Sequence, residues 1–578
     1  MVNSTASKRG DKQTPKSIQG HTLFFTTSPR SILKTVDEIA LLKKYEGKSW
    51  TRDTQATYYK DLCTQPFFET QSQSSTPDFS ARDRINRIPK MLGFVDLKPS
   101  ISITKAGQQL IDGVDVEALL LRQMLKYQIP SPYQKGSDNN DTVFWIKPYL
   151  EMLRLIRNIG KLTFKELTIF GIALTDYRDF DSVVTKILEY REERKKKDNK
   201  KLFDEEVLTR ETVEIYHQNI EEDDLKTRES EDGSLTKFLQ TKKRNARDFA
   251  DACVRHLRAT GLVSITGGIH SALYIPESHL KEVDFILENV KREPEFVTDV
   301  ELFKENLFNP ETPRLYSDDK ENLIDLIISL KPLSRVELEN KSITELLVLK
   351  TALLENKQFA LVQKQIEELK NYSQFDDIIE VFNDIKNTYD PSLMLEWNAW
   401  RAMTMLDDGA IKGNFVRDDD GNPKSTAAGN TADITCEYDK FALTVEVTMM
   451  GGQKQYDAEG EPVARHIGSY KQQTKKPTFG LFIAPSINPS TIAHFYMLGR
   501  TNVSLYGGKA NIIPMTLETF VKLLHNSRNA NDSGHKVTSN DLSTLFEKSA
   551  EFNQTSNDES EWYSNITAYV EQWMVAGT

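Results

Sequence analysis

The segment Thr431–Thr448 holds the residues best placed to do chemistry. With a turn at Asp439-Lys440 it reads as a β-hairpin in which Tyr438 faces Phe441 and Asp433 stands opposite Glu446. One face then carries Asp433, Thr435, Thr444 and Glu446. The other carries Ile434, Cys436, Tyr438, Phe441, Leu443 and Val445, all apolar or nearly so. Directly opposed residues have Cβ atoms about 4.5–5.5 Å apart. Two carboxylates that close repel unless a proton or a cation lies between them. Hard divalent ions such as Mg²⁺ take one or two carboxylates and complete their shell with substrate phosphate oxygens. The plain alternative is a half-exposed hairpin with both acids pointing at water.

The neighbours favour the chemical reading. Glu459, Glu461, Arg465 and His466 follow within twenty residues of Glu446, in a stretch predicted to be helical with Pro462 in its first turn. Phe479–Pro485 reads as a buried strand, and Leu395–Trp400 opens a helix that carries Glu396. Other familiar chemistry is missing. Gly47-Lys48-Ser49 lacks the upstream glycine of a P-loop, and HExxH, GxSxG and paired CxxC do not occur. That excludes P-loop nucleotide hydrolysis, zincin chemistry and α/β-hydrolase chemistry, and no nucleotide cofactor is expected.

What must position these residues is a long chain. Its 578 residues, 38% hydrophobic and 28% charged, suit three or four globular domains. No apolar run is long enough to span a membrane, and the polar first thirty residues lack a signal-peptide core, so a cytoplasmic (bacterial) protein is expected. Cys63, Cys253 and Cys436 are too few and too scattered for a disulfide framework or a cysteine-rich zinc site.

Net charge is −11, which at first argues against a nucleic-acid partner. The distribution argues the other way. Residues 1–260 hold 44 Lys+Arg against 38 Asp+Glu, a balance of +6, and the remainder hold 30 against 47, a balance of −17. A basic first half joined to an acidic second half suits a first half that meets a polyanion.

The first 20 residues read as a disordered tail. After Ser80-Ala81-Arg82-Asp83 a helix is predicted to about Leu92, stopped by Gly93, with strands at Phe94–Leu97 and Ile101–Thr104. The order recurs. Asn245-Ala246-Arg247-Asp248 opens a predicted helix to about Ala259, then Leu262–Thr266 and Ser271–Ile275 flank a Gly267-Gly268 turn. A helix followed by a two-stranded wing is the winged-helix pattern, which gives two modules, 21–145 and 146–290. Between the repeats, Lys186–Lys201 reads as one helix rich in Arg and Lys, ordinarily a solvated face. A helical linker is predicted over 291–390, broken at Pro332, and an α/β domain over 391–578 with strands in 433–448, 479–487 and 502–506. The expected fold class is multidomain α+β.

Helix, hairpin with D-x12-E, helix and strand is the order of the PD-(D/E)xK nuclease core. The segments Ala428–Asp433, Glu446-Val447-Thr448 and Glu461–His466 closely resemble the AlwI-type family of type IIS restriction and nicking endonucleases. Ser28-Pro29-Arg30, Ala81–Arg84, Gln123–Ser131 and Asn245–Asp248 resemble the same family, so the resemblance spans nearly the whole chain. It implies an active site of Asp433, Glu446, Glu459 and His466, with Glu396 from the preceding helix, and Mg²⁺ held by Asp433 and Glu446. Glu459 is preferred to Glu461, which is held as a helix-capping acid. Thr448 stands where the wider nuclease pattern has lysine, so His466 or a second metal must substitute.

The resemblance further implies that the modules read a short asymmetric duplex site of about five base pairs, of the GGATC or GAGTC kind. Cleavage would fall at a fixed distance outside it and leave 5′-phosphate ends. Arg30, Arg82, Arg84, Arg87 and Arg247 are the arginines expected to meet double-stranded DNA. One site cuts one strand, so double-strand cleavage needs a transient homodimer or a separate small catalytic subunit, and a chain without one is a strand-specific nickase. A non-catalytic winged-helix DNA-binding regulator is the rival reading. A regulator has no reason to oppose two carboxylates across a hairpin.

Overall fold

The computed structural model describes residues 21–575 except Ser28, Arg30, 69–73, 135–143, Arg228, Glu231, 269–270 and 407–408. Arg30 therefore lies outside the described residues. The chain divides into two compact units, Met1–Val263 with Leu273–Ile343, and Ser264–Ala272 with Thr344–Thr578.

The first unit is mostly helical. A helix runs Pro77–Asn86 with proline at its first position and Asp78 in its first turn, so Ser80 and Ala81 lie inside it. Pro77, with its preset φ and no N–H to satisfy, opens the helix four residues earlier than the Ser80 cap predicts. Pro89 ends it early, because its ring cannot continue the hydrogen-bond ladder, and only a short turn Ile88–Met91 follows. Gly93 then reverses the chain at φ +75°, where an added Cβ would lie 2.5 Å from Leu307 Cγ. Val95–Asp96 pairs antiparallel with Ser102–Ile103, Val95 against Ile103.

In the second copy the helix is longer than expected, Leu235–Ala259, capped by Ser234. Asn245 sits at its middle, since nothing between 235 and 259 is glycine or proline and buried Phe238 and Thr241 extend its apolar face upstream. Strands Ser264–Ile265 and Ala272–Tyr274 follow, and the Thr266 N–H donates to the Ala272 carbonyl at 2.9 Å; Ser264–Ala272 falls in the second unit.

The Lys/Arg run is two helices, Phe180–Lys195 and Lys200–Ile215, the second capped by Asn199. Arg191 pairs with Glu166, Arg194 with Asp204 and Lys186 with Glu211, so much of this charge is engaged within the fold. Residues 320–390 are helical with a break at 331–334, as expected: Lys320–Leu330, Arg335–Glu339, Ile343–Lys370 and Phe375–Asn383. The first two belong to the first unit. The last two fall almost wholly in the second.

The second unit is built on a five-stranded sheet. Its elements run α1 (Pro391–Leu406), β1 (Ala410–Gly413), β2 (Ile434–Glu437), β3 (Ala442–Val447), α2 (Gln453–Thr474), β4 (Thr478–Ala484), α3 (Pro489–Arg500), β5 (Asn511–Thr516) and α4 (Leu517–Asp532). Strand order is β5-β4-β3-β2-β1, with β3, β4 and β5 parallel and β1 and β2 antiparallel to their neighbours. After Thr478, the apolar text of β4 follows from burial on both faces, as parallel strands require. The last strand is not at 502–506, which forms a short 3₁₀ turn at Ser504–Tyr506, but at Asn511–Thr516. Pro514 lacks a ladder donor, and β5 tolerates it as an edge strand.

No helix among the described residues is long and apolar enough to cross a membrane.

Candidate active site

The hairpin has the register its sequence dictates. Ala442 pairs with Glu437, Leu443 with Cys436, Thr444 with Thr435 and Val445 with Ile434. The Tyr438 N–H donates to the Phe441 carbonyl at 3.1 Å, and the two rings stack with centroids 4.3 Å apart. One step further along the same register brings Asp433 to Glu446, and the Val447 N–H donates to Asp433 Oδ2 at 2.8 Å. The chemical face does not point at water. Thr444 is fully buried and Glu446 only 5% exposed.

What covers that face is α2. Glu459 and His466 are seven residues apart on it, two helical turns, and so share a side. His466 Nδ1 lies 2.8 Å from Glu446 Oε1. The Glu459 carboxylate is hydrogen-bonded to the Thr448 hydroxyl. Glu396, buried on α1, accepts the Ala427 N–H at 3.0 Å and acts electrostatically on Glu446. The four acids and the histidine expected from the sequence are thus brought into one neighbourhood.

Two expectations about α2 need correction. The helix begins at Gln453, nine residues before Pro462, which therefore lies inside it and leaves one backbone acceptor of the preceding turn without its N–H. Glu461 caps nothing. It is exposed and pairs with Arg465 one turn on, at 3.2 Å. Glu461→Ala is accordingly expected to leave catalytic rate within about twofold of wild type, as surface ion pairs contribute little. Glu459→Ala should lower it by about 10² or more. Single-turnover rates of the two variants check this, and equal rates would move the third acid out of the site.

The electrostatics are those of several acids gathered out of water. Burial raises the Asp433 carboxyl well above the usual carboxylate range, and the Glu446 charge raises it further, against the Val447 N–H. Glu446 is raised well above its ordinary value by burial and then by Glu459. Burial also raises Glu459. His466 is lowered by burial and by Arg465, and its Nε2 is buried without a well-aligned partner.

No three His, Cys, Asp or Glu side chains among the described residues form a ready-made metal cage. Two opposed carboxylates still fit a hard cation that takes the rest of its shell from water and phosphate.

Sequence reasoning missed Gln455. Fully buried, it donates to the Met450 and Ser486 carbonyls, both at 2.9 Å, and accepts the Asn488 N–H at 2.8 Å. It fixes the turn between β3 and α2 to the end of β4. A single glutamine carries no spacing signal that could have revealed it.

The described arginines of the first unit differ in availability. Arg82 is exposed and lies over the Phe79 ring. Arg84 is held by a bidentate ion pair with Glu38, which is 2% exposed, and lies over the Phe68 ring. Arg87 pairs with Asp83 at 2.6 Å. Arg247 is half-buried in the middle of its helix. Arg84→Ala should cost about 3 kcal/mol, the low end for breaking a buried pair, because it strands the Glu38 carboxylate. Chemical denaturation checks this. An unchanged midpoint would free Arg84 for a role at the surface.

The model of the AlwI restriction endonuclease family matches residues 90–523. The chain belongs to the AlwI restriction endonuclease family. Membership implies a site-specific nuclease that acts on DNA. Among solved structures, the small subunit (R.BspD6I2) of the heterodimeric restriction endonuclease R.BspD6I is 26% identical, covers 34% of this chain and 97% of its own, and has a TM-score of 0.29. The BpuJ1 endonuclease binding domain, solved with pyrene- and phenanthrene-modified DNA, is 15% identical, covers 50% of this chain and 93% of its own, and has a TM-score of 0.31. No curated protein matches the chain.

Proposed function

We propose that this AlwI-family chain is a type IIS restriction endonuclease. Winged-helix-like modules in 21–145 and 146–290 bind a short asymmetric duplex site. A PD-(D/E)xK-type unit, reached through the helical segment 291–390, hydrolyses phosphodiester bonds at a fixed distance outside it. The observation that carries this reading is the opposed pair of half-buried Asp433 and buried Glu446, with His466 in contact with Glu446.

Asp433 and Glu446 would hold a divalent cation, Mg²⁺ in this reading. Bound there, such an ion polarises a phosphoryl oxygen, stabilises the leaving 3′ oxygen and lowers the pKa of water. Glu459, fixed by Thr448, and Glu396, fixed by the Ala427 N–H, add negative charge behind the pair. An ionised Glu446 only accepts hydrogen bonds, so Nδ1 of His466 carries the proton and Nε2 keeps a lone pair. That places a neutral base beside the acids, where threonine has replaced the lysine. The products would carry 5′-phosphate and 3′-hydroxyl ends.

One such constellation cuts one strand. A double-strand break takes a second catalytic unit, from a transient homodimer or a small catalytic subunit, and without it the chain is a strand-specific nickase. Incubation of supercoiled plasmid with the chain and Mg²⁺ tests both levels. Linear product marks a double-strand cutter and open circles mark a nickase. Plasmid that is bound but never converted would favour a non-catalytic regulator and overturn the proposal.

A further inference from the structure

Residues 261–578 carry −17, yet under the reading above they must seat a polyanion. The charge is not evenly spread. From Pro462 to Leu517 there is no Asp or Glu, while Arg465, Lys471, Lys475, Lys476, Arg500 and Lys509 give +6, so the rest of that half carries −23 (−17 less 6). Two of these cations are held by ion pairs or several carbonyls inside the unit, while Lys509 has one exposed hydrogen bond, to Gln554 Oε1 at 2.9 Å. Lys476 pairs with Glu437 and donates to the Tyr438 carbonyl, and Arg500 holds the Asn553 and Ser556 carbonyls.

Arg465, Lys471 and Lys509 gather around one loop. Val503 and Gly508 exchange both backbone hydrogen bonds, at 3.2 and 3.1 Å, and close it. Ser504–Tyr506 forms its 3₁₀ turn, and Gly507 and Gly508 take the positive φ values, +68° and +110°, that let the chain return. The loop is seated directly on α2. At Gly468, two residues past His466, an added Cβ would lie 2.7 Å from Tyr506 Cα. Lys471 Nζ donates to the Gly507 carbonyl at 2.7 Å, and the Arg465 charge acts on both Tyr506 and Glu446. At the tip, Leu505 is 63% exposed.

We propose that the loop Val503–Gly508, with Arg465, Lys471 and Lys509 around it, is the surface on which the catalytic unit seats the duplex beside the scissile phosphate. This rests on the nuclease reading and adds where the DNA lies. Lys and Arg neutralise phosphates and fix register. Apolar side chains at such positions press against or between base steps in the minor groove, which is the role assigned to Leu505. Arg465 gives up an exposed pair with Glu461 and a long, exposed hydrogen bond to Asn430 Oδ1 at 3.4 Å, a small loss.

The test uses the whole chain in EDTA, with a duplex of about 40 base pairs spanning the cleavage position mapped on plasmid, and the same duplex truncated short of that position. For Lys471→Gln combined with Lys509→Gln, the slope of log K against log salt should become shallower by about 2 on the long duplex, about 0.9 per phosphate. The slope on the truncated duplex should not move, and cleavage with Mg²⁺ should fall about tenfold. Leu505→Ala should slow cleavage without changing either slope. An unchanged slope on the long duplex, or an equal change on both, overturns the surface. A wild-type rate for Leu505→Ala removes the loop tip from it. Failure of the nuclease reading shows separately, as retained cleavage by Asp433→Asn.

Discussion

Asp433→Asn and Glu446→Gln are each expected to lower plasmid cleavage by about 10³, the upper range for one contact to transition-state charge, while binding to site-containing duplex persists. The two effects separate because the hairpin's register is set by its backbone pairs, Ala442 with Glu437 through Val445 with Ile434, which neither substitution touches. The same variants should also unfold at a higher temperature without metal. Burial and neighbouring acids raise both carboxyls, so in EDTA removing one of these charges relieves the cluster. Each kcal/mol recovered raises Tm by about 2–4 °C for a unit of this size. Lost activity with gained stability is the mark of a site that strains its fold. Lost activity with lost stability would mean that these carboxylates hold the hairpin together and that the chemistry lies elsewhere.

The site was legible where local rules decide the geometry. A hairpin has few registers, and the alternation from Ile434 to Val445 admits only the one that buries Cys436 and Leu443. His466 and Glu459 then fall on one side of α2 whatever its exact start. Legibility failed where partners distant in sequence decide. Arg84 reads from the sequence as a side chain open to DNA, but Glu38, 46 residues upstream, pairs with it. Pro462 read as a helix start, because nothing local says that the helix has already run nine residues when it arrives. The strand Asn511–Thr516 was hidden by Pro514, which is harmless only because β5 closes the edge of the sheet, and edge position belongs to the topology. Gln455 shows the same limit from another side, since its three backbone partners come from two separate loops.

In EDTA the Tm of the wild-type chain is expected to fall relative to that of Asp433→Asn as pH rises from about 5 to 8, and Mg²⁺ should abolish the widening gap. The sign follows from the direction of the shifts. Both carboxyls have folded-state pKa values well above their ordinary 3.8 and 4.5, so between those values and the raised ones the folded chain binds more protons than the unfolded. Stability then falls with rising pH across that window, because each deprotonation adds negative charge to a poorly hydrated cluster of acids. Asp433→Asn removes one of the two titrating groups, so the variant should lose less stability across the window. A cation bound by the pair competes with those protons and prefers the doubly ionised form. Activity should therefore rise with pH at fixed Mg²⁺, and the acid limb of that profile should move to lower pH as Mg²⁺ is increased. Differential scanning fluorimetry across pH with EDTA or Mg²⁺, beside initial cleavage rates at two Mg²⁺ concentrations, measures both. A gap that stays constant with pH, or an acid limb indifferent to Mg²⁺, would show that the pair is not where protons and metal compete.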